Sequence, residues 1–254
     1  MTDWPEDHAG PGDKILVVVA HPDDAEFMCA ASVARWTSEG KEVVYALVTS
    51  GDKGTSDPTV VPSELAALRE EEQREVCRIL GVTKVEFLRY EDGMVENTLE
   101  LRKDIVRLIR KHKPSAVITQ NPTVRWSGHY INHPDHRNTG DATLDAVFPS
   151  ARDVHMFPEL ALNEGLDAHI VEHVYLGARD DIADVYFDVT GTVEKKISAL
   201  KAHASQMRFA PTNGGGEPSD EEREFGERLR GWLKDRGSQK GIPYAESFKY
   251  FYLG

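Results

Sequence analysis

A chain of 254 residues, 40% of them hydrophobic, can bury a sizeable core and fits one large α/β domain or a domain with an extension. Its formal net charge of -13 argues against nucleic acid and anionic membrane surfaces as partners, because both repel a negative protein. No apolar run approaches the ~20 residues of a membrane span, and the first residues lack the basic and apolar parts of a signal peptide. The two cysteines, Cys29 and Cys77, give no disulfide framework and point to a reducing compartment. These features lead to the expectation of a cytoplasmic protein acting on a soluble small molecule.

Residues 15–20 form an unbroken apolar run, rich in β-branched side chains, that suits a strand buried on both faces of a parallel sheet. It stops at His21, Pro22, Asp23 and Asp24, and a helical pattern follows to about Ser38. Residues 42–49 read as a second buried strand, 50–62 as a loop and 63–80 as a helix ended by Gly81. A short strand at 84–88, a turn at 91–93, a helix at 99–111 and a strand at 116–119 complete the alternation. Alternating strands and helices predict an α/β fold, Rossmann-like, in three α/β/α layers around a mostly parallel sheet. Beyond it come a loop at 120–132, a helix from His133 towards Val147 and an irregular stretch at 148–166. Late strands are expected at 173–176 and 185–189, helices at 192–207 and 221–236, and a glycine-rich loop at 213–218. The aromatic stretch 244–252 is expected to pack back on the sheet. There is no repeat and no domain boundary, so residues 1–254 read as a single domain, with a core at about 14–205 and a C-terminal extension on it.

The chemistry gathers at two corners. His21 and Asp24 are three apart where a helix begins, which places them on one face. Pro22 suits a first helical position, and Asp23 points elsewhere, free to hold a water. Asp23 and Asp24 could equally be helix N-terminal carboxylates and nothing more. A second corner shifts the balance: His133, Pro134, Asp135 and His136 repeat the arrangement where another helix opens. If the corners converge, His21, Asp24 and His136 supply three nitrogen and oxygen ligands, the number typical of a catalytic zinc site with an open position. Ferrous iron can share such ligands. A dinucleotide oxidoreductase is disfavoured, since the first strand-helix turn lacks G-x-G-x-x-G and carries carboxylates where a pyrophosphate would sit.

AHPDDAEF, LVTSGDKG, LREEEQ with LGV, and NHPDHRNTG resemble the LmbE-like, or PIG-L-type, zinc deacetylases, over roughly residues 14–205 and with a C-terminal match in AESF. The resemblance implies hydrolysis of an N-acyl amide, most often N-acetyl on an amino sugar. It implies zinc on His21, Asp24 and His136, Asp23 as general base, and a protonated His133 beside the oxyanion, oriented by Asp135. It makes Arg69 a substrate anchor, with a plain helix ion pair to Glu72 as the alternative, and Asp92 a contact for sugar hydroxyls, with an ordinary Asp-Gly turn as the alternative. Some relatives carry a tyrosine where this chain has Ile131, with Tyr130 beside it. Arg125, Trp126 and His129 are in the same loop, and His203 and five other histidines have no motif around them. An amidase acting on a thiol conjugate and a non-catalytic binding relative are the competing readings. The oligomeric state is open, a homo-oligomer included.

Overall fold

The computed structural model describes residues 10–178, 182–209, 212 and 217–254. Most of the glycine-rich loop expected at 213–218 lies outside them. The strands are β1 (Lys14–Val19), β2 (Glu42–Thr49), β3 (Lys84–Tyr90), β4 (Ala116–Thr119), β5 (Trp126–Ser127), β6 (Tyr130–Ile131), β7 (His173–Gly177), β8 (Val185–Asp188) and β9 (Ala245–Tyr252). The helices are α1 (Asp24–Ser38), α2 (Pro62–Leu80), α3 (Leu99–His112), α4 (Pro134–Asp145), α5 (Pro158–Glu164), α6 (Val193–Ala202) and α7 (Asp220–Ser238).

Seven strands form one sheet in the order β3-β2-β1-β4-β7-β9-β8. The first five are parallel; β9 runs antiparallel to both of its neighbours. Alternate residues of β1 feed two cores. Ile15, Val17 and Val19 pack with α1, α2 and α6, while Leu16 and Val18 pack with α3 and α4. Burial on both faces is why the strand shows no polar alternation. From β1 the sheet grows one way to β2 and the other way to β4, so the crevice at their C-terminal ends is a topological switch point, where ligands bind in open α/β sheets. Both His-Pro-Asp corners reach this crevice.

Three elements differ from expectation. The loop at 120–132 contains the β5-β6 hairpin, turned at Gly128 with φ 58°. The stretch read as irregular holds α5, whose signals are Pro158 at its start and Gly165 with φ 68° at its end. The aromatic tail is the inserted strand β9 itself rather than a segment lying on the sheet. Cys29 and Cys77 are buried, unpaired thiols, packed as small apolar groups.

The tail also enters the interior of α1. Glu246 of β9 accepts the Ala31 and Ser32 N–H groups at 3.2 and 2.8 Å, and Lys196 of α6 donates to the Phe27 carbonyl at 2.8 Å. Lys196 and Glu246 bond each other at 2.5 Å and are 2% and 0% exposed, so each buried charge has its counter-charge.

Candidate active site

β1 ends at Val19, two residues before His21, and α1 begins at Asp24. Pro22 therefore precedes the helix instead of occupying its first turn. Asp23 is the N-cap, with φ 93° and ψ -26° and no side-chain cap hydrogen bond. Such backbone costs about 1–3 kcal/mol in a non-glycine residue and persists only where surroundings enforce it. At the second corner α4 starts with Pro134 at its first position and His133 as N-cap.

The corners meet. His136 Nε2 stands 3.1 Å from Asp24 Oδ1, and His21 Nδ1 stands 3.2 Å from Asp24 Oδ2. The other nitrogen of His21, Nε2, is 3.1 Å from Asp92 Oδ1 and 3.2 Å from Asp135 Oδ2. Nitrogens of His21, His133 and His136 lie within 4.8 Å of one another, and so do ligand atoms of His21, Asp92, His133 and Asp135. Burial alone would lower the pKa of His21, yet Asp135, Asp24 and Asp92 outweigh it and push it up to about 12. Burial raises Asp24, but the charges of His136 and His21 carry it well below the carboxylate range. Asp92 goes the same way, to about 2, through its bond to His21.

These residues fit a divalent cation. Asn132 Nδ2 donates to the Val124 carbonyl at 2.8 Å, which turns Asn132 Oδ1 towards His136 Nδ1 at 3.0 Å. Neutral His136 then keeps its proton on Nδ1, and its Nε2 lone pair faces the Asp24 carboxylate. In that neutral form the pair can share a cation, and in the protonated form His136 donates to Asp24 directly. The 3.1 Å between His136 Nε2 and Asp24 Oδ1 is close to the roughly 3.3 Å ligand spacing of a tetrahedral ion with ~2.0–2.1 Å bonds, while His21 stands on the other oxygen of Asp24. Asn132 thus fixes the tautomer of a candidate ligand, a role that residue spacing alone did not reveal.

Asp135 has partners beyond His133. Its carboxylate is fully buried, accepts from Gly93 N at 2.7 Å and Val95 N at 3.3 Å, and touches His21. Its Oδ1 stands 3.8 Å from His133 Nδ1, and its backbone N–H donates to the same nitrogen at 3.2 Å. Neutral His133 therefore carries its proton on Nε2. Burial and the charge of His21 lower its pKa, which opposes the protonated state expected for it.

Arg69 and Glu72 do not pair with each other. Glu72 accepts from the N–H and hydroxyl of Ser205, both at 2.7 Å. Arg69, 4% exposed, reaches the Pro22 carbonyl at 2.6 Å, the Gly51 carbonyl at 3.0 Å and Asp23 Oδ2 at 3.3 Å. On α2 Leu68 is exposed, and Arg69, Glu72 and Gln73 face inward beside Leu65 and Val76. His203, which no motif marks, is fully buried with Nε2 2.9 Å from Glu26, and Gln73 bonds the same carboxylate. Burial and the charge of Asp24 raise Asp23 to about 7, with Arg69 and His203 pulling the other way.

A cavity of about 250 Å³ opens beside Asp24 and His136, lined by Phe27, Met28, Asn121 and Tyr130. Tyr130 faces it, with its hydroxyl 3.4 Å from Asn132, whereas Ile131 is 80% exposed. Arg125, Trp126 and His129 are exposed on the hairpin.

The family described as GlcNAc-PI de-N-acetylase, PIG-L, matches residues 16–147, just over half of the chain. The chain belongs to the PIG-L family. It is 33% identical to the diacetylchitobiose deacetylase of Thermococcus kodakarensis over 93% of this chain and 82% of that one. It is 29% identical to a probable N-acetyl-α-D-glucosaminyl L-malate deacetylase 2 of Bacillus anthracis, over 76% of this chain and 81% of that one. Among solved structures, the N,N'-diacetylchitobiose deacetylase of Pyrococcus horikoshii superposes with a TM-score of 0.81 at 29% identity, covering 94% of this chain and 84% of that one. These PIG-L relatives are named as deacetylases, and this chain shares their α/β fold. No helix among its described residues is long and apolar enough to cross a membrane.

Proposed function

We propose that the chain is a metal-dependent N-deacetylase that removes an N-acyl group, most often acetyl, from a small amino-sugar-containing compound in the cytoplasm. The observation that carries this reading is the approach of His136 to Asp24 across two corners distant in sequence, with His21 on the other oxygen of that carboxylate. His21, Asp24 and His136 would hold the ion; their mixed imidazole and carboxylate donors suit zinc, and ferrous iron accepts the same set. When bound, such an ion lowers the pKa of water to about 7 and polarises the acyl carbonyl.

The remaining work falls to the chain's own side chains. Asp23 is poised near neutrality, where a base both accepts and returns a proton readily. It takes the proton of the attacking water. His133, with its proton held on Nε2 by the bond at Nδ1, donates to the oxyanion that forms on the acyl group. An amide nitrogen leaves poorly as an anion, so a proton must reach it. Since the one proton of neutral His133 serves the oxyanion, Asp23 returns the proton it collected. The cavity flanked by Tyr130 accepts the sugar, as the amino-sugar substrates in the names of the relatives suggest. Asp92, bonded to His21 and to the Lys53 N–H, acts within the cluster as much as on a sugar hydroxyl.

The test joins metal analysis to an acetate-release assay on N-acetylglucosaminides. Asp23→Ala is expected to retain wild-type metal per chain while kcat falls about 10²–10⁴-fold. Full turnover in that variant would reject the mechanism; loss of metal would place Asp23 among the ligands.

A further inference from the structure

The geometry points to Arg69 as the positioning residue of Asp23: its guanidinium holds the carbonyl just before the left-handed residue together with that residue's own carboxylate. The inference rests on the reading of Asp23 as base. Arg69 Nη2 bonds the Pro22 carbonyl at 2.6 Å, immediately before the strained residue, and Asp23 Oδ2 at 3.3 Å. Its Nη1 bonds the Gly51 carbonyl at 3.0 Å, which ties the corner to the loop after β2. The residue needing restraint is itself one of the partners of Nη2, and Asp23 has φ 93° and no side-chain cap bond.

The slot for the guanidinium is built from missing side chains. A Cβ placed on Gly51 or on Gly54 would overlap Arg69 Nη1. The SGDKG stretch therefore leaves room for an arginine that comes from another helix. Gly51 also needs its glycine for a φ of 67°, but Gly54 has no such conformational demand, so its side-chain vacancy serves the clamp and the nearby Gln206. A residue only 4% exposed offers a substrate little surface, and the hydrogen bonds of its terminal nitrogens go to protein. A positioned base is lost when its support is lost: a misplacement of about 1 Å can cost ~10²-fold in rate.

Arg69→Gln, Arg69→Gly and Gly54→Ala, with metal loaded, test the clamp through kcat, KM, metal per chain and the crystal structure of each variant. The expected result is a fall in kcat of about 100-fold for Arg69→Gln and a smaller fall for Gly54→Ala. KM stays within about threefold and metal per chain is unchanged, since neither substrate nor ligands lose a contact. Millimolar guanidinium ion restores part of the kcat of Arg69→Gly. In crystals of Arg69→Gln the Asp23 φ leaves the positive region. In an Asp23→Asn background, Arg69→Gln adds little further loss. A tenfold rise in KM with kcat retained would make Arg69 a substrate anchor and overturn the clamp. So would loss of metal, or an Asp23 turn unchanged in Arg69→Gln. If Asp23→Asn itself retains turnover, the base assignment fails, while the crystal structures still decide whether Arg69 holds the turn.

Discussion

The two His-Pro-Asp corners carry the same three letters to the same crevice, yet the backbone takes them differently. At the first, the helix waits until after the third letter, and Asp23 is left at the N-cap with φ 93°. At the second, the helix begins on the proline, and the first letter, His133, is the N-cap with φ -57°. The aspartates consequently part company. The Asp23 side chain is 20% exposed and available to a reaction, whereas that of Asp135 is fully buried against Gly93, Val95 and His21. A motif thus names donors, while the neighbours decide which donor is reactive: Arg69 shapes one corner, and the N–H groups after β3 shape the other.

The comparison can be broken at the fourth letter, where the effect should be largest. Asp24→Ala removes the carboxylate that joins the corners; bound zinc, counted by elemental analysis, and acetate release should both fall to background. Metal retained at one ion per chain would show that His21, His133 and His136 suffice without it. At the first letter of the second corner, His133→Ala should keep the metal and lose about 10²–10³ in kcat, the range for one oxyanion donor. A loss of metal there would instead make both histidines of that corner ligands. The smallest effect is expected just before the corner. Asn132→Ala frees the tautomer of His136 and should weaken zinc about 10–100-fold in a competition titration with a chelator. Unchanged affinity would remove Asn132 from the support of the site.

Much of the scaffold was legible because its signals are local. Runs such as residues 15–20 and the helical patterns between them carry their burial in their own letters, and β1, β2, α2 and β4 fall within a residue or two of where they read. β9 was obscured because its partners, β7 and β8, are separated from it by α7 and lie on either side of it. The donors at the corners were readable from the paired motifs. Their relations were not. That Asp135 serves His21 depends on β3 delivering Gly93 beside α4. That Arg69 grips Pro22 depends on α2 lying against the first corner. His203 reaches Glu26 only because α6 packs on α1 and α2, a contact no spacing encodes.

The carboxylate of Glu246 inside α1 has a consequence for how the molecule opens. The helix bearing Asp24 borrows its mid-length hydrogen bonding from the last strand of the chain, and Lys196 depends on that same strand for its counter-ion. Peeling the final strand from the sheet would take the counter-ion from a buried ammonium and an acceptor from two backbone N–H groups of α1, so the end of the chain and the helix bearing Asp24 are tied into one cooperative unit.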